Sequence, residues 1–390
     1  MFKQLPYKVQ KRIFFSIYIL FLLLSCLFSY KKPSYNWDML PYTAITLRFD
    51  GYDKSQIHDQ VYRVAKDQLQ ASDYDQLSAS NAKRKKWHDD TDSFNALLPF
   101  YVVKPLYNIC CFALYKCGVP LLKATVLPSI FAYFVCGVLL YTWLSKFIKH
   151  YLVLTISVFT MLLPFVLEAE KLSTPDFLCA VFMIGGLYLL MEKRWINGMF
   201  ICFLFGILSR IDFVLPTITI LTTLLFVRDT HLKITIKKYL LLTAITIAAY
   251  LMVAAGATSL GWDMFYFPSF IKTLNTKGEI LGVFNLHEYL ELVKAQLLTG
   301  LYFSHLMWFF LICTFIFLTY KGRKTKDNSI DHVIVFVLIV ILFLRFIFHP
   351  VIADRFYLGY YIIAIVILAK RIMISYPAIA IPPPSGAGGG

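Results

Sequence analysis

Apolar residues run along this chain in long blocks, and charged residues gather between the blocks or near their ends. A helix needs about 20 apolar residues to cross the hydrocarbon of a bilayer, and fewer where flanking side chains reach up to the headgroups. Blocks of that kind fall at 12–30, 121–145, 150–168, 175–192, 195–209, 211–227, 239–260, 297–320, 331–348 and 355–371. A further apolar stretch, 97–116, is interrupted by Lys104-Pro105. The pattern predicts an all-α polytopic membrane protein of about ten transmembrane helices. No repeat period is evident along it.

The basic residues orient the bundle. With 97–116 lying in an interface rather than crossing, the short loops on one side hold Lys146 and Lys149, Lys193 and Arg194, Lys237 and Lys238, Arg323 and Lys324, and Lys370 and Arg371. They join the Lys3, Lys8, Lys11 and Arg12 cluster, and this excess marks the cytoplasmic side. Both termini are then cytoplasmic, and two sizeable loops face outward. Residues 1–30 form the N-terminus and first helix, and 31–120 a large extracytoplasmic loop carrying interfacial helices. Residues 121–260 form helices two to seven, 261–296 a second outer loop, and 297–375 the last three helices. The tail 376–390, with Pro382-Pro383-Pro384 and its run of glycines, reads as disordered and is left out of the fold.

Composition agrees. Hydrophobic residues make up 58% of the 390 and charged residues 16%, and the mean hydropathy is +0.65. A soluble domain of this size is not so apolar. The net charge of +15 is the cytoplasmic lysine and arginine excess, so no nucleic-acid partner is expected. The expected location is the cell (inner or plasma) membrane. The eight cysteines lack zinc-type spacing and mostly sit in apolar blocks. No Gly-x4-Gly-Lys phosphate loop is present, which argues against an ATP-driven pump.

On this topology the unusual ionisable residues share the outer rim. Asp38 opens the first loop in Trp37-Asp38-Met39. It suits an N-cap for a helix starting near Met39, and equally a base that takes a proton from an acceptor hydroxyl. Asp176 follows Ser173-Thr174-Pro175, where Ser173 or Thr174 can cap a helix and Asp176 complement its dipole. Glu168 and Glu170 oppose the dipole at a helix end, which calls for a partner or a bound cation. Arg210 and Asp212 read as an ion pair between two short helices. Lys104, His287, His349 and Arg355 complete the rim, with Lys104 and Arg355 also readable as interface anchors. Cations and carboxylates on one face suit a lipid phosphate held by Lys or Arg while a carboxylate deprotonates a nucleophile.

In this arrangement the chain resembles the type C glycosyltransferases, and most the branch of the protein O-mannosyltransferases and the aminoarabinose transferase of lipid A. The matching positions are Asp38 after the first span, Lys104-Pro105-Leu106-Tyr107 in the loop behind it, Thr174-Pro175-Asp176 before a later span, and Ser209-Arg210-Ile211-Asp212 after that. They cover roughly residues 10–230 in order and spacing, and the second Pro of the family's Lys-Pro-Pro segment is missing. The resemblance implies transfer of a sugar from a polyprenyl-phosphate donor to a glycan, lipid or protein acceptor at the outer leaflet. Asp38 would be the catalytic base, with inversion at the anomeric carbon. Lys104, Arg210 and Arg355 would contact phosphate or sugar, and Asp176 sugar or acceptor. Glu168, Glu170, His287 and His349 complete the expected substrate-binding set. The family's oligosaccharide-transferring branch uses a divalent metal, and Glu168 with Glu170 would be its ligands here; the closer branch implies none, and no cofactor is expected. Two other classes compete. A polymerase or ligase of O-antigen type would lean on His287, His349 and Arg355, and a lipid-linked sugar flippase would need charges at mid-bilayer.

Overall fold

The computed structural model describes residues 6–227, 229, 231–256, 286–303, 330–348 and 350–375. Among them every regular element is helical. Helix α1 is Tyr7–Lys31, followed by α2 (Met39–Phe49), α3 (Lys54–Gln68), α4 (Ala71–Ser78), α5 (Ala82–Asp89), α6 (Thr91–Asn95), α7 (Pro99–Val102) and α8 (Pro105–Lys116). The next helices are α9 (Leu121–Leu144), α10 (His150–Met161), α11 (Pro164–Lys171), α12 (Asp176–Lys193) and α13 (Ile196–Ser209). A turn of 3-10 helix, Ile211–Phe213, leads into α14 (Val214–Phe226), then α15 (Ile236–Ala255), α16 (Leu286–Phe303) and α17 (Ile330–Phe348). A second 3-10 turn, Asp354–Tyr357, runs into α18 (Leu358–Ser375).

Two apolar cores meet along α9. Its first half sends Leu121, Leu122, Val126 and Ile130 into a cap made with Met39, Leu40, Ile57, Val61, Leu77 and Phe94. Its second half sends Tyr133, Cys136, Leu140 and Leu144 into the bundle, against Tyr18, Ile184, Leu187, Phe203, Ile220, Ile341 and Ile363. The polar stretch 54–95 is therefore a folded helical cap. Its longest helix is amphipathic: α3 buries Ile57, Val61 and Ala65 at intervals of four, which places them on one face.

Three helices, Tyr7–Lys31, Leu121–Leu144 and Ile236–Ala255, are long and apolar enough to cross a membrane, or five if two bent pairs count as one span each. On α1 only Tyr18, Leu22 and Ser29 are buried, while Leu20, Leu23, Leu24, Leu27 and Phe28 stand exposed. An apolar face of that length suits lipid rather than water. The sequence pattern counts ten spans, and the difference has local causes. Helix α12 carries Asp176, Glu192 and Lys193 in its 18 residues, and α13 and α14 are only 14 and 13 residues long. The block 150–168, expected as one span, is broken at Leu162-Leu163 and bent by 62°. Pro164 is the reason: it cannot continue α10 but is suited to the first turn of a new helix. The stretch 97–116 bends by 108° at Val103-Lys104, again ahead of a proline. Of the other expected segments, most of the outer loop 261–296, most of the span 297–320, His349 and the tail 376–390 lie outside the described residues.

Candidate functional site

Asp38 ends the loop between α1 and α2, but its side chain does not cap α2. It is turned to other partners. One carboxylate oxygen accepts the Tyr101 hydroxyl at 2.8 Å, and the other accepts the Asn36 amide at 3.1 Å. Tyr101 comes from α7, and burial pushes its phenol well above its ordinary value, with Asp38 adding to the effect. The phenol therefore stays protonated and donates. Hydrogen bonds to a charged acceptor contribute roughly 1.5–3 kcal/mol each, enough to fix the carboxylate in one orientation.

Asp176, the first residue of α12, is almost wholly buried, its side chain only 3% exposed. No Ser173 or Thr174 side chain caps α12, as the sequence suggested one would. Ser173 instead meets Thr125 of α9 at 2.8 Å, and the Thr174 carbonyl accepts Ser129 at 2.8 Å. The turn is thereby pinned to α9, and Asp176 is pointed at two arginines. Its one oxygen pairs with Arg210, and the other lies 3.6 Å from the Arg355 Nε.

Arg355 reaches both carboxylates, its Nη1 standing 3.5 Å from Asp38. Arg210 is gripped in a fork by Asp212, Nε to Oδ1 at 3.0 Å and Nη2 to Oδ2 at 2.8 Å. Burial works against the Arg210 charge, but Asp212 and Asp176 around it more than offset that and hold the guanidinium above its ordinary value. A third arginine, Arg345, joins them. It is buried on α17, donates to the Phe356 carbonyl at 2.7 Å, and lies 3.1 Å from Asp212. All three guanidiniums sit on the Phe356 ring, at 4.6 Å, 4.9 Å and 5.2 Å from its centre for Arg210, Arg345 and Arg355.

These groups line an open cleft of roughly 390 Å³, counting the solvent at its mouth, between α12, α14, α17 and α18. Its lining carries Asp176, Arg210, Asp212, Arg345 and Arg355 together with the apolar Ala180, Met183, Pro216, Leu358 and Gly359. Three guanidiniums against two carboxylates leave the lining with one positive charge to spare. A planar, always-charged guanidinium matches the oxygens of a phosphate.

Of the residues singled out in the sequence, Asp38, Asp176, Arg210 and Arg355 are brought together. Lys104 is close but does not line the cleft. Its ammonium stands over the rings of Tyr101 at 4.6 Å and Tyr42 at 5.3 Å. Burial pushes it down to about 8, against the pull of Asp38 and Asp176. The cations that line the cleft itself are arginines. Glu168 and Glu170 part company: Glu168 is exposed, while Glu170 is buried against α1, where Ser25 donates to it at 3.3 Å. They do not converge on a common ion, and among the described residues no three His, Cys, Asp or Glu side chains gather as metal ligands. His287 is exposed on α16 and does not line the cleft.

Sequence reasoning missed Arg345, Tyr101 and Asn36. Arg345 was legible, for it is a charge near the end of the otherwise apolar run of α17, and ionisable residues in such runs usually serve a site. Nothing local marked the other two.

No family model, no curated protein and no solved structure matches this chain.

Proposed function

We propose that this chain is an integral-membrane glycosyltransferase. It moves a sugar from a polyprenyl-phosphate donor to a glycan, lipid or protein acceptor at the outer leaflet, within a bundle of about ten spans whose termini are cytoplasmic. The observation that carries the reading is Arg355, which lies between the carboxylate of Asp38 and that of Asp176 at the mouth of a cationic cleft. It joins a base on one side to a recess lined by arginines on the other. The order of the motifs shared with the type C glycosyltransferases supports the same assignment.

The chemistry follows from the geometry. The donor phosphate lies in the cleft against Arg355, Arg345 and Arg210, whose charges stabilise the negative charge that grows on the leaving polyprenyl phosphate. An acceptor hydroxyl approaches Asp38. The carboxylate takes its proton as the oxygen attacks the anomeric carbon, the new C–O bond forms, and the bond from that carbon to the phosphate oxygen breaks with inversion. Tyr101 holds one oxygen of Asp38 while this happens. Lys104 acts through space, its cation favouring the anionic form of nearby groups. Asp176 keeps Arg210 and Arg355 in place and faces the sugar.

The test is transfer of labelled sugar from a panel of polyprenyl-phosphate sugars by purified protein in detergent, where no compartments exist. Transfer that disappears in Asp38→Asn, with donor binding retained, is expected. Absence of transfer by the wild type with every donor, or normal turnover by Asp38→Asn, overturns the reading. A flippase would yield no product in this assay.

A further inference from the structure

Asn36 occupies a position that the reaction above does not by itself require. It is half-buried in the loop between α1 and α2, and its short side chain is used at both ends. The Nδ2 donates to Asp38 Oδ2 at 3.1 Å, and the Oδ1 accepts the backbone N–H of Ser173 at 3.0 Å. Chemistry dictates this orientation of the amide. A backbone N–H can only donate and a carboxylate can only accept, so a flipped amide would lose both bonds. The two segments joined lie 137 residues apart. A second link, Ser34 N–H to the Lys171 carbonyl at 3.1 Å, runs beside the first.

The contacts close into a ring. Asp38 meets Arg355, Arg355 meets Asp176, the backbone leads from Asp176 back to Ser173, and Asn36 returns from Ser173 to Asp38. Its weakest parts are the arginine contacts, at 3.5 Å and 3.6 Å. Those are the contacts a donor phosphate draws on when it occupies the cleft. Once Arg355 turns toward a phosphate, Asp38 is left with Tyr101 on one oxygen and Asn36 on the other.

We infer that Asn36 is a positioning residue for Asp38: its amide ties the base to the 172–175 turn, so the carboxylate keeps its bearing relative to Asp176 when Arg355 is engaged by donor. The inference rests on the glycosyltransferase reading. It adds a residue that touches neither donor nor acceptor and acts through the base.

Asn36→Asp separates this role from a merely structural one. The aspartate retains an oxygen for the Ser173 N–H, so the loop stays anchored, but it replaces the donor to Asp38 with a like charge. The expected result is a fall in kcat on the order of 100-fold, as for misplacement of a catalytic group by about an ångström. The KM for polyprenyl-phosphate sugar should move by no more than about threefold, because ground-state binding is untouched. The thermal midpoint in detergent should stay near that of the wild type. Asn36→Ser, too short to bridge both partners, gives an independent measure should Asn36→Asp fail to accumulate, and the same split of kcat from KM is expected. A kcat close to wild type in the variant that folds, or a loss confined to KM, overturns the inference while leaving the parent reading intact. Absence of transfer by the wild type overturns the parent reading itself.

Discussion

The indole of Trp87 rests 4.2 Å from that of Trp37, ring centre to ring centre, and fastens the cap to the residue beside Asp38. His58 tightens the same join by meeting the Trp87 carbonyl at 3.1 Å. The cap is therefore part of the site's framework. Trp87→Ala is expected to destabilise the protein by about 1–3 kcal/mol, below the usual range for a fully buried Trp because this ring is only partly covered. Thermal unfolding in detergent measures the loss. Limited proteolysis should show earlier cleavage within 79–90 than in wild type, and an unchanged cleavage pattern would place the cap's anchorage elsewhere.

Arg345 should behave as a donor contact that lysine cannot replace. Its guanidinium stands over Phe356 at 4.9 Å and Tyr357 at 5.1 Å while pairing with Asp212. An ammonium keeps the charge but loses the flat, forked geometry. Both Arg345→Lys and Arg345→Met are expected to raise the donor KM by roughly tenfold or more, in keeping with a lost charge-assisted hydrogen bond of about 1.5–3 kcal/mol. Full recovery in Arg345→Lys would reduce its role to bulk charge.

Lys104 should leave its signature in the pH dependence. Burial brings it down to about 8, and the charged groups around it are Asp38, Arg210, Asp176 and Arg355. The cation is therefore present below that pH and is lost as pH rises through it. Donor KM should climb above about pH 8 in the wild type, whereas Lys104→Arg, which stays charged, should flatten that limb. A limb that persists unchanged in Lys104→Arg belongs to another group.

Glu192 organises the opposite end of α12, about 24 Å from Asp176 at the helical rise of about 1.5 Å per residue. It accepts from Trp143 at 3.1 Å and pairs with Lys146 at 3.4 Å and Lys370 at 3.5 Å, and Lys370 in turn holds the buried Asp331 at 3.1 Å. Glu192→Gln is expected to destabilise the bundle by roughly 1–3 kcal/mol, with donor KM unaltered. A donor defect in this variant would show that the two ends are coupled.

How much of this was legible depended on distance along the chain. Arg210 and Asp212 are near neighbours, and their pairing could be read directly. Asp38, Asp176 and Arg355 were legible as rim residues because charges at the ends of apolar blocks are few. The breaks at Pro164 and Pro105 were written in the prolines, although the apolar run through 150–168 masked the first. What could not be read were the bonds that give Asp38 its orientation. Tyr101 lies 63 residues away from it, and Asn36 reaches Ser173 across 137. Such partners are chosen by packing, in which α9 brings the cap, the 172–175 turn and the bundle to one place. Lys104 shows the converse. Its motif was visible, but the two tyrosines that cover it decide its chemistry.

Gly359, in the lining of the cleft, packs on α12 so closely that a Cβ there would come within 2.9 Å of the Met183 sulfur and 3.5 Å of the Ala180 backbone. The same two helices bury Ile184, Leu187, Ile362, Ile363 and Val366, each almost wholly shielded from solvent. The carboxylates and guanidiniums of the lining thus stand against a dry aliphatic seam, where their pairing is less screened than it would be in water.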